Sequence, residues 1–63
     1  MDDDLESLGC RIILTQRSVL VIETLTRPGQ RPFRRVIEEF DSTNGKYDNA
    51  MQQARAKLRN LRH

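Results

Sequence analysis

The chain has 63 residues, of which 37% are apolar, so it holds one small core and no second domain. Cys10 is the only cysteine and His63 the only histidine, which excludes an intrachain disulfide and gives no metal-ligand cluster. A net charge of +2 is too small to argue for nucleic acid on its own, and no apolar run approaches the roughly 18 residues of a membrane span.

Residues 1–9 carry Asp2, Asp3, Asp4 and Glu6 without a base, and only Leu5 and Leu8 as apolar anchors. They are expected to form a flexible acidic arm closed by Gly9, with residues 10–63 as a single small αβ domain. An acidic start, where a signal peptide is basic and then apolar, together with a lone thiol, gives a cytoplasmic expectation.

Cys10 to Thr15 and Ser18 to Thr26 are β-branched and aliphatic, and are read as two strands of a hairpin. A loop of either two or four residues pairs Leu14 with Val19. That parity puts Cys10, Ile12, Leu14, Val19, Val21 and Leu25 on one face, with Glu23 as an exception. It puts Ile13, Leu20 and Ile22 on the other. The stretch from Arg27 to Pro32 is a Pro-Gly turn, and Phe33 to Phe40 is a third strand of poorer alternation. Simple alternation there sets Val36 and Phe40 on one side, Phe33 and Ile37 on the other. After a loop rich in capping residues, Tyr47, Ala50, Met51, Ala54, Leu58 and Leu61 form a stripe about 100° wide on a helix. The fold class is therefore α+β: a three-stranded antiparallel sheet with one C-terminal amphipathic helix packed on one face, βββα.

Two basic groups stand out. Arg27, Arg31, Arg34 and Arg35 surround the turn with no acid between them, as a basic hairpin tip would. Arg55, Arg59 and Arg62 form a ridge at i, i+4, i+7, which complements the negative end of the helix dipole and is also spaced to grip phosphates. Catalysis has no comparable support. Glu38 and Glu39 are neighbours in a strand and point to opposite faces. Cys10 lacks a base, and Ser18, Ser42 and Thr43 lack a histidine partner. The three glycines are scattered, so no phosphate loop exists. No enzyme activity, catalytic residue, metal or cofactor is expected.

Gly45 followed by Ala50, Ala54, Leu58 and Leu61 is similar to the last helix of double-stranded-RNA-binding domains. Where that family carries paired lysines, this chain has Tyr47 and Asp48, and the family's long first helix is absent, so membership is not assigned. The βββα order also resembles the small DNA-binding arms of phage-type integrases, at the level of fold alone.

One helix covers one sheet face. The other face is expected to be a partner-binding surface of Ile13, Leu20, Ile22 and Phe33, and to make the chain a homodimer, because so short a chain gains from oligomerisation. The function expected is that of a small non-enzymatic regulatory or adaptor protein occupying a partner protein's surface. The alternative is a nucleic-acid-binding module using the turn arginines and the helix ridge.

Overall fold

A computed structural model describes residues 4–61. Its elements are β1 (Glu6–Leu14), β2 (Ser18–Thr26), β3 (Phe33–Asp41) and α1 (Tyr47–Leu61). The strands form one antiparallel sheet in the order β1-β2-β3, and α1 packs against it, giving the βββα arrangement expected.

The β1–β2 connection is the three residues Thr15-Gln16-Arg17. Thr15 N donates to Ser18 O at 2.9 Å, and Thr15 Oγ1 accepts from Ser18 N at 2.9 Å and from Arg17 N at 3.3 Å. The threonine hydroxyl thus supplies the turn chemistry that an Asn-Gly pair would otherwise give. Leu14 pairs with Val19, as parity requires. The second connection has Pro28 before Gly29 at φ 78°, closed by Gln30 N donating to Arg27 O at 3.1 Å. Proline presets the first central residue, and glycine accepts the positive φ of the second.

β1 starts at Glu6, four residues before the expected strand, and of the expected arm only Asp4 and Leu5 precede it among the described residues. The early start depends on a bulge. Ser7 pairs with Leu25 and Gly9 with Thr24, so Leu8 is the extra residue. Gly9, at φ 121°, sits inside the strand rather than ending an arm.

A second bulge lies in β3. Val21 pairs with Glu38 and Ile22 with Val36, which leaves Ile37 unpaired. One extra residue shifts the strand's parity, and this corrects the faces expected from simple alternation. Ile37 and Phe40, three residues apart, both pack against the core beneath the helix. Val36 turns to the opposite face with its cross-strand partner Ile22.

At the entry to α1 the Asp41 carboxylate accepts Thr43 N at 3.0 Å and Thr43 Oγ1 at 2.7 Å. These bonds hold its pKa below the ordinary carboxylate range, with Lys46 adding a smaller Coulombic effect. Asn44 and Gly45 then take positive φ, and the Lys46 carbonyl accepts from Ala50 N. The capping chemistry of this loop therefore holds the turn into the helix, one step before the helix itself.

The core is a cluster of Val19, Val21, Ala50 and Ala54, all essentially without solvent exposure, ringed by Ile12, Ile37, Phe40, Met51 and Leu58. The two alanines let the helix backbone approach the central strand closely. Leu58 packs against this cluster while keeping some exposure. Tyr47 and Leu61, at the ends of the apolar stripe, are 45% and 40% exposed.

Ala54 is fully buried in the core cluster with Val19 and Val21. Replacing it with leucine is expected to cost about 1–3 kcal/mol through overpacking, whereas Ala56→Leu, on the exposed side of the same helix, should stay within about 0.5 kcal/mol. Urea unfolding of the two variants checks this, and equal midpoints would mean that the helix is rotated from the orientation described.

Candidate protein-docking face

The face of the sheet turned away from α1 is built by register. In one row across the strands stand Ile13, Leu20 and Glu39; in the next, Arg11, Ile22 and Val36; in the next, Thr24 and Arg34. Toward the β1–β2 loop lie Ser18 and Asp41. The molecule measures 43 × 24 × 16 Å, and the shortest extent suits one sheet plus one helix, with no third layer. Ile13, Leu20, Ile22 and Val36 therefore form an apolar centre on a face that no secondary-structure element among the described residues covers. Its members are not equally accessible: Ile22, on the central strand, is 3% exposed, whereas Val36 is 57% exposed.

Ile13, Leu20 and Ile22 share this face, as their parity implies. Phe33 does not. It pairs with Leu25, whose side is that of Val19 and Val21, so the bulge at Ile37 carries Phe33 to the helix side, where it is 39% exposed. Val36 takes the place assigned to it. The signal for this exchange was present in the apolar spacing of β3, because Ile37 and Phe40 cannot both face one core without an inserted residue. Glu39 was also missed as a member of the face. Its neighbour Glu38 pairs with Val21 on the helix side, so the two glutamates diverge.

The basic residues are dispersed. Arg34 lies on the open face opposite Thr24. Arg35 lies on the other face, with Nη2 at 2.7 Å and Nε at 2.9 Å from Glu23 Oε1. Arg31 is exposed in the turn, and Arg27 is half-buried. Arg55 and Arg59 are exposed on α1, while Arg62 lies outside the described residues. The four arginines of residues 27–35 thus do not converge on one surface.

Glu23, the one charge on the helix-facing side of the central strand, is satisfied from both flanking strands. Ser7 Oγ donates to Oε2 at 2.8 Å, and Arg35 binds Oε1. The Ser7 hydrogen bond is the largest influence holding the carboxyl below its ordinary pKa; desolvation opposes it, and the Arg35 hydrogen bond and charge reinforce it. The grouping ties β1, β2 and β3 together beyond the aliphatic core and commits one turn arginine to structure.

Near the β1–β2 loop the open face dips into a shallow depression of about 560 Å³ lined by Thr15, Gln16, Arg17, Ser18, Leu20, Val36 and Glu39. It brings no base beside a nucleophile: the Ser18 hydroxyl is 2.9 Å from Thr15 Oγ1, within the loop's own hydrogen bonding. Among the described residues no group of three or more His, Cys, Asp or Glu side chains is placed to hold a metal ion. Also among these residues, no helix is long and apolar enough to cross a membrane. No protein-family model matches the chain, and no curated protein or solved structure is significantly similar to it.

Because the folded-state pKa of Glu23 is lowered, its interactions stabilise the fold above the unfolded-state value of about 4.3 and are lost as pH falls through the lower folded value. Asp41 acts with the same sign. Urea midpoints measured from neutral pH downward should fall below about pH 4.3, and Glu23→Gln should flatten that fall without removing the part due to Asp41. An unchanged slope would show that the Ser7–Glu23–Arg35 grouping contributes nothing.

Proposed function

We propose that this chain is a small non-enzymatic binding protein, regulatory or adaptor in kind, which acts by docking the open face of its sheet against a protein surface. The observation that carries this reading is the position of Val36, more than half exposed beside Ile22, Leu20 and Ile13 on a face with no covering element among the described residues. Contiguous apolar surface rimmed by charge is the common form of a protein-interaction site. Charges flank it on both edge strands: Arg11 on β1, and Arg34, Glu39 and Asp41 along β3.

A nucleic-acid ligand suits this face less well. Its centre is aliphatic, it carries carboxylates at one end, and none of its residues is aromatic, so bases have no stacking platform. Arg34 and Arg35 lie on opposite faces of β3, whereas a backbone-tracking site gathers its cations along one groove.

A photo-crosslinking side chain at Val36, introduced into the protein in its host cells, should give protein adducts. The same group at Gln52, exposed on the outer side of α1, should give few. Equal labelling at both positions would remove the docking reading. Fluorescence anisotropy with duplex and single-stranded DNA and RNA at physiological salt is expected to show no sub-micromolar binding. Such binding, weakened by Arg34→Ala, would replace the protein reading with the nucleic-acid one.

A further inference from the structure

Along β3 the open face carries a cation, an apolar residue and an anion in turn: Arg34, Val36 and Glu39. Arg34 lies one row from Val36 toward the Pro-Gly turn, and Glu39 one row from it toward α1, opposite Leu20. At about 3.3 Å per residue, each charge stands roughly 6–7 Å from Val36 along the strand. Both are exposed, and neither has an ion-pair partner among the described residues. This charge order changes sign when the strand is reversed about Val36, so the surface is complementary to itself.

We infer that the occupant of the open face is a second copy of this chain, related by a two-fold axis that crosses the strands at the level of Ile22 and Val36. The inference rests on the docking reading and names its partner. Under this symmetry the exposed Val36 side chains meet each other, and Arg34 of each copy faces Glu39 of the other. An isologous contact makes each favourable pair twice. Arg11 stands at the same level on the edge strand β1, where solvent lets its guanidinium turn away from its counterpart while the stem covers apolar surface. A three-stranded, nine-residue face measures about 30 by 14 Å, which is small beside the usual 800 Å² or so per partner. The dimer is therefore a weak one, with a dissociation constant expected in the micromolar range, on the order of 1–100 μM.

Sedimentation equilibrium over loadings from about 1 to 500 μM, spanning that constant, tests the arrangement by charge reversal. The wild-type chain should pass from monomer to dimer. Arg34→Glu and Glu39→Arg should each weaken association by about tenfold or more, because each sets like charges opposite one another twice. The double variant should return to within about threefold of wild type. Both positions are exposed, so circular dichroism and thermal melting should confirm that all variants are folded. A purely structural effect of either substitution would not be rescued by the second. A wild-type chain that stays monomeric throughout, or a double variant no better than the singles, overturns the inference. The Val36 crosslinks separate its failure from that of the docking reading. Adducts at twice the chain mass support both. A monomeric chain with adducts only at other masses overturns the self-association and leaves the docking face standing. Absence of adducts removes both.

Discussion

The bulge at Ile37 is the constraint on which the arrangement of both sheet faces depends. β2 is regular in its pairing with β3 on either side of it, so the single inserted residue divides β3 into two halves of opposite parity. In the half near the helix entry, Phe40 faces the core. In the half near the Pro-Gly turn, Val36 faces away from it. A regular strand would place these two residues together and leave Ile37 outside the core. With the bulge, α1 meets Ile37 and Phe40, and Val36 is released to the other face.

This distribution follows from how little the helix brings to the interface. Its two fully buried positions are Ala50 and Ala54, which permit close approach but bury little side-chain area. The apolar mass must come from the sheet, and Val19 and Val21 supply its centre. β3 adds two further large side chains at an odd spacing. Glu23 interrupts the aliphatic row on β2, where Ser7 and Arg35 satisfy its carboxylate from the neighbouring strands. The core is thus short along the strands, and its outer end is held by polar contacts. Such a chain has little apolar reserve of its own, and an apolar second face is where association would add to it.

Most of the architecture was legible in the sequence. Aliphatic and β-branched runs gave two strands, the Pro-Gly turn separated the third, and the 100° stripe gave the helix between the residues observed. Leu14 opposite Val19 followed from parity alone. The sequence-level errors share one cause, namely bulges. Period-two reasoning has no means of counting an unpaired residue, so it starts β1 after Gly9 and puts Phe33 on the open face. The apolar spacing in β3 held the clue, since Val36-Ile37 and Phe40 do not fit one alternation. The basic residues were harder to place. Four arginines within nine positions look like one site on paper, yet β-strand alternation sends Arg34 and Arg35 to opposite faces and Glu23 claims the second.

The most direct measurement is a set of nuclear Overhauser contacts between methyl and aromatic side chains in solution. Ile37 and Phe40 should both show contacts to the cluster of Val19, Val21, Ala50 and Ala54, while Val36 should show contacts to Ile22 and none to either alanine. Contacts from Val36 and Phe40 together to the helix alanines, with Ile37 on the Ile22 side, would mean that β3 is unbulged and would contradict the account of both faces.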